Sequence, residues 1–261
     1  KNNKFIDIST NKSKKWSKNY IKAVQSTKSK GVILEKYKKR HKAKITVLFT
    51  NNLSCIFSAK IRIHGDGDDH LNSVPPVTSL DVKLLNGNID SVIEFKLFIP
   101  HTRGLDNEIF VTALFRELGF LAPKSYNVPA LFNGQETTFL FQEKITKEFI
   151  ESNGLRESSI LEGDERYMLG PLSQKFVLTR VINKKWIEKG VTSLLISQKA
   201  LTQLNKVYLE HLLVEFVYKD HSGPRRPLKA NSSNKNALNK EIEFKAIMNA
   251  IGAYHGLSAD D

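Results

Sequence analysis

The sequence predicts an α+β chain in two lobes, a β-rich N-lobe over about 44–142 followed by a mainly helical C-lobe over about 143–261. Three observations predict it. Apolar residues recur at every second position through much of 44–99, the period of a half-buried strand. After residue 142 they recur at every third or fourth position, the period of an amphipathic helix. Charge separates the start of the chain from both regions. Residues 1–44 hold 15 Lys+Arg and 2 Asp+Glu out of totals of 40 and 27, which leaves 25 of each sign for the rest.

Residues 1–43 therefore read as a basic leader, partly disordered, with a short helix at "WSKNYIKAV". Such a leader is either a solvated lead-in or a tail for an anionic surface. A reader of nucleic-acid sequence spreads its basic residues over the folded domain, and here the domain is neutral, so no specific nucleic-acid partner is expected. No run approaches the roughly 18–20 apolar residues of a membrane-spanning helix. Cys55 stands alone, which excludes an internal disulfide framework. The oligomeric state has no signature.

Strands come first. In "KITVLFT" Ile45, Val47 and Phe49 alternate with polar or outward positions, and Asn51-Asn52 turns the chain. Cys55, Phe57, Ala59, Ile61 and Ile63 then share one strand face, with Lys60 and Arg62 on the other. "SLDVKLL" resumes with Leu80, Val82 and Leu84, "NGN" turns, and "VIEFKLFI" returns with Phe95 and Leu97 inward. Lys83, Glu94 and Lys96 face the opposite way. A helix follows, capped by Asp106 and ended by Gly119, with Phe110, Leu114 and Leu118 stacked at i, i+4 and i+8. "SYNVPALF", Asn133-Gly134 and "QETTFLFQ" spell a hairpin, and Pro129 marks its first strand as lying at an edge or a bulge. Beyond it lie a helix ending at Gly154, a long helix capped by Ser197, a polar loop at 220–236 and a closing helix.

"IRIHGDGDDHLN", residues 61–72, concentrates the polar chemistry. It fails as an EF-hand, because the sixth and twelfth positions counted from Asp66 are Leu71 and Val77 rather than glycine and glutamate. Three readings stay open: a solvated turn, a loop facing a nucleotide or substrate, and a hard-metal loop using Asp66 and Asp68. No Walker loop, CxxC or GxGxxG occurs, which removes the common P-loop and dinucleotide readings.

"RELGFLAPKS" (116–125), "ALFNG" (130–134) and "FLFQEK" (139–144) fall in the order and spacing of the CotH kinase family, atypical protein kinases of bacterial spore coats, and the stretch 58–165 resembles it. That resemblance implies a two-lobed protein-kinase-like fold with an incomplete C-lobe. It also implies ATP with Mg²⁺ or Mn²⁺, and phosphate transfer to Ser or Thr hydroxyls of a protein substrate. By position it assigns nucleotide contacts to His64, Gly65, Lys83 and Glu143, and catalytic roles to His255 with Asp260 or Asp261. The family's later metal-binding aspartates would lie past Asp261. His64 stands where the family carries arginine, and "PVTSLD" replaces a lysine-rich run. These departures favour the alternative reading, a non-catalytic kinase-shaped binding module for cell-envelope or polysaccharide assembly.

Overall fold

In the computed structural model, which describes residues 3–163, 179–217 and 235–252, the chain divides into two units, residues 1–156 and 157–261. Unit 1 starts with β1 (Asn3–Thr10), whose Ile6, Ile8 and Thr10 alternate inward and are buried. Helix α1 (Ser13–Lys30) follows and turns Trp16, Tyr20, Ala23 and Thr27 onto the strands at spacings of four, three and four residues, one face of a helix. Gly31, at φ 73°, ends it with its N–H on the Thr27 carbonyl.

The chain then lays down β2 (His41–Phe49) and β3 (Ser54–Ile63), a small hairpin of β4 (Leu71–Ser73) and β5 (Pro76–Thr78), then β6 (Leu80–Leu84) and β7 (Glu94–Phe98). Helix α2 (Asp106–Glu117) leads to the hairpin of β8 (Ser125–Phe132) and β9 (Gln135–Glu143), and α3 (Lys147–Ser152) ends the unit. Seven strands close into a barrel in the order β1-β2-β3-β6-β7-β9-β8. Every pairing is antiparallel except the closing one, in which β1 runs parallel to β8 with Ile6 opposite Ala130 and Ile8 opposite Phe132. Inward side chains such as Ile45, Ile61, Val82, Phe95, Val128 and Phe141 fill the interior, and closure removes the unpaired edges an open sheet would expose.

Asn133 joins hairpin and closure. It takes the positive φ (49°) that the turn needs, beside Gly134 at 84°. Its Oδ1 accepts the Thr10 N–H at 2.8 Å and the Thr10 hydroxyl at 3.0 Å, and its own N–H donates to the Ile8 carbonyl at 2.8 Å. Pro129 lies on the part of β8 before its pairing with β1 begins at Ala130, so its missing donor costs no ladder bond there.

This architecture corrects the expected fold class. The strands of 44–142 form no kinase-like N-lobe; they close as a barrel, and residues 3–10 of the expected leader supply the strand that closes it. Two local expectations also change. Helix α2 begins at Asp106 without a side-chain cap, and Asp106 instead accepts the Asn127 side-chain amide at 2.9 Å. The Gln142 side-chain amide likewise donates to Glu108. Those bonds lay α2 on the polar outer face of β8 and β9, so Thr112 and Phe115 are buried while Phe110 of the expected apolar stripe is 63% exposed.

Unit 2 begins with the antiparallel pair β10 (Leu161–Gly163) and β11 (Thr179–Val181), tied by Arg180 to Glu162 at 2.5 Å. The short helix α4 (Lys184–Ile187) buries Trp186. The long helix α5 (Val191–Val217) starts six residues before Ser197, whose hydroxyl bonds back to the Ser193 carbonyl at 2.8 Å rather than capping. Helix α6 (Lys235–Ala250) is the last described element. Among the described residues no helix is long and apolar enough to cross a membrane.

Candidate functional site

Strand alternation sends half of the side chains of β3, β6 and β7 to the outside of the barrel, and register decides which of them meet. Arg62 lies opposite Asp81, and Asp81 opposite Lys96. One pleat further along, Lys60 lies opposite Lys83, and Lys83 opposite Glu94. Arg40, just before β2, and Lys144, just after β9, reach in from the two sides.

Asp81 is the centre of this strip and only 1% exposed. Its Oδ1 accepts Arg40 Nη2 at 2.9 Å, and its Oδ2 takes Arg62 Nε at 3.1 Å and Nη2 at 3.0 Å. Lys144 Nζ stands 4.0 Å from Oδ2 and 3.0 Å from Glu94, whose other oxygen takes Lys83 at 2.5 Å. Burial pushes the Asp81 carboxyl upward, but the Lys144, Arg40 and Arg62 charges outweigh it and hold it below the ordinary range. Glu94 behaves likewise: burial raises it, and the hydrogen bonds from Lys83 and Lys144 bring it lower overall. The side chains of Arg40, Arg62 and Lys144 are each 32% exposed, so cations anchored on a buried acid still reach solvent. Four cations share two carboxylates here, with Lys60 and Lys96 on the same face. The strip is therefore electropositive and suits a compact anion.

The acidic tip after β3 borders this strip. The His64 N–H bonds the Ser79 carbonyl at 2.9 Å, and His70 Nδ1 lies 2.9 Å from the Ser79 hydroxyl. Gly65 is held at φ 95°, and a Cβ there would stand 2.0 Å from His70 Cδ2, so the crossing excludes any larger residue. Fully buried Phe98 packs beneath, with the His64 ring at 5.3 Å and the Arg103 guanidinium at 4.3 Å. Asp66 pairs with Lys38, and its carbonyl accepts the Ile33 N–H at 2.7 Å, which ties the tip to the segment after α1. The hydrogen bond from Lys38 holds the Asp66 carboxyl below its ordinary range against the effect of burial. Asp68 and Asp69 are exposed in one short 3-10 turn.

The two tip histidines give a pH dependence. Burial, then the Lys96 charge, lowers His64 to about 3 from 6.5, with Asp81 opposing. Burial lowers His70 as well, against the pull of Asp69. Their folded-state values lie below the unfolded ones, so between about pH 6.5 and 3 the unfolded chain binds more protons. Stability is expected to fall as pH drops through that window. Urea unfolding midpoints at pH 7, 6 and 5 measure it, and His64→Gln should flatten the slope; an unchanged slope would remove His64 as its source.

Among the described residues, those singled out in the sequence do not converge on one point. His64 and Gly65 build the tip. Lys83 stands on the outer wall, 46% exposed and paired with Glu94. Glu143 continues the inward parity of Phe139 and Phe141 and is buried. Burial raises its carboxyl, with only a 3.3 Å bond from the Lys124 N–H and the Lys124 and Arg116 charges opposing. Lys83 and Glu143 thus occupy opposite faces of the barrel wall. Among the described residues no group of three or more His, Cys, Asp or Glu side chains could hold a metal ion, so Asp66 and Asp68 gain no third ligand. His255, Asp260 and Asp261 lie outside the described residues.

Sequence reasoning missed Asp81 and Arg40. One signal was present: an acid between Leu80 and Val82 in a strand, sharing its outward parity with Lys83. Its partners arrive from residues 40, 62 and 144, and only register brings them together. No protein-family model and no curated protein matches the chain.

Proposed function

We propose that unit 1 is a binding module for a phosphate-bearing ligand, held on the outer face of β3, β6 and β7. The observation that carries this reading is the convergence of Arg40, Arg62 and Lys144 on the buried Asp81, beside the Lys83–Glu94–Lys144 bridge. A carboxylate at the back of a basic strip fixes the cations in place before a ligand arrives, which lowers the ordering cost of binding. Guanidinium groups match phosphate oxygens in a planar fork, and lysines add point charge.

The resemblance of "RELGFLAPKS" and "FLFQEK" to the CotH family makes ATP the first ligand to test, with Mg²⁺ or Mn²⁺ carried in by the nucleotide. Transfer of its terminal phosphate to a protein Ser or Thr hydroxyl is the further step that resemblance implies. Thermal shift and calorimetry with ATP, ADP and inorganic phosphate, each with and without Mg²⁺, test the binding reading. A ligand at 100 times its dissociation constant should stabilise the folded chain by about 2.7 kcal/mol. The double variant Lys60→Ala/Lys83→Ala, both exposed positions, should weaken binding by about tenfold and flatten its salt dependence. No shift with any of the three ligands at millimolar concentration would overturn the proposal. Incorporation of labelled γ-phosphate into a mixed protein substrate would extend it to phosphoryl transfer.

A further inference from the structure

A second surface of unit 1 has a different chemistry. Between α1 and the barrel lies a cavity of about 490 Å³, lined by Trp16, Tyr20, Ile21, Val24, Pro76 and Phe132. Its volume is within the range of small-molecule sites, and its floor is aromatic: Trp16 sits edge-on to Phe132 at 5.4 Å. Ile21 hangs over it 53% exposed, an aliphatic side chain that only an added apolar group would bury.

Beside the cavity runs a ridge of charge. Lys14, Lys18 and Lys22 recur at every fourth position of α1 and therefore share a helix face. They line a shallow depression on α1 that has Ser17, Ile21 and Gln25 in common with the apolar cavity. No Asp or Glu occurs between residues 8 and 34, a stretch holding seven lysines, so nothing on this helix neutralises them. An apolar hollow that continues directly into a row of lysines has the polarity of an amphiphile with the sign of charge reversed.

We propose that this groove binds a single-chain anionic amphiphile as a monomer, with its alkyl chain over Trp16, Tyr20 and Phe132 and its phosphate or carboxylate head on Lys18 and Lys22. The chain removes Ile21 and Val24 from water, and the head meets cations at the helix surface. A polynucleotide matches the lysines but not an aliphatic hollow. An intact bilayer would need several apolar side chains at the ridge, where Ile21 stands alone among lysines and polar residues.

The test is isothermal titration of the full chain with dodecyl phosphate below its micelle concentration, with dodecyltrimethylammonium as the charge-reversed probe. Saturable binding of the phosphate amphiphile, and none of the cationic one, is expected. Lys18→Glu/Lys22→Glu should weaken it by about tenfold through charge. Ile21→Asp should weaken it by a similar factor through the chain. All three positions are exposed, so the variants keep the fold, and unchanged melting curves check that. Lys60→Ala/Lys83→Ala should leave this binding untouched, which separates the groove from the phosphate strip. Equal binding of both amphiphiles, indifference to Lys18→Glu/Lys22→Glu, or binding only to vesicles of phosphatidylglycerol would each overturn the proposal.

Discussion

Deletion of residues 1–30 is expected to abolish cooperative folding of unit 1. The deletion removes β1, which pairs with β2 on one side and β8 on the other, and so opens the barrel along two edges. It also removes Ile6, Ile8 and Ala23, which are fully buried, and Trp16 and Tyr20, which are nearly so. Burying a large apolar side chain contributes about 1.5–3 kcal/mol, so four such side chains together rival the whole stability of a typical domain, about 5–15 kcal/mol. Residues 31–156 alone should lose the cooperative thermal transition and aggregate through the exposed edges of β2 and β8. Circular dichroism melting and size-exclusion chromatography read both outcomes. The point variant Trp16→Ala separates packing from strand loss: it should cost about 3–5 kcal/mol in urea unfolding while the barrel still forms. A truncated chain melting like the intact one would make the first thirty residues the solvated leader that their charge implies.

Replacement of Asp81 should be the most costly single change on the outer wall. Asp81→Ala leaves Arg40, Arg62 and Lys144 facing one another around an apolar gap. Removing one partner of a buried ion pair costs about 3–5 kcal/mol, and the lower end applies because the three cations are a third exposed and regain water. Asp81→Asn keeps the shape and loses the charge, so most of the loss should persist. Acid titration distinguishes charge from packing. The folded-state carboxyl titrates below its unfolded value, near 4, so its contribution is fully present above that pH and disappears as pH falls through the lower folded value. Wild type should therefore lose stability steeply below about pH 4, and Asp81→Asn should lose less there. That limb begins at about pH 4, within the lower end of the His64 window, so parallel pH series on Asp81→Asn and His64→Gln tell the two contributions apart. If Asp81→Asn unfolds at the wild-type urea concentration at pH 7, the network is ornamental and the basic strip is not preorganised.

Strand and turn positions were legible in the sequence, because their causes are local. Ile45, Val47 and Phe49 alternate because a pleated strand puts every second side chain on one side. Asn133-Gly134 marks its turn because both residues tolerate positive φ. The position of "HGDGDDH" at a strand end was equally readable, since Ile61 and Ile63 carry the strand period up to it.

The misreadings share one physical origin. β1 has the same alternation, Ile6, Ile8 and Thr10, but it lies in a lysine-rich stretch and pairs in parallel with a strand more than 120 residues away. Phe110, Leu114 and Leu118 have helical spacing, yet spacing does not say what a helix packs against, and hydrogen bonds to Asn127 and Gln142 hold α2 on a polar face. Asp81 was invisible as a centre because the charges that stabilise it come from three distant segments.

What the amino-acid order determined by itself was the period of each strand, the turns between them and the excess of lysine at the start, all set by interactions a few residues long. What only the tertiary structure decided was closure and register. Those choices turned an apparent leader into a barrel stave, put Lys83 and Glu143 on opposite sides of one wall, and gathered Arg40, Arg62 and Lys144 around Asp81. The reason is that burial and charge pairing depend on distance in space, and a strand's own residues set which side each group faces but not which neighbour it meets.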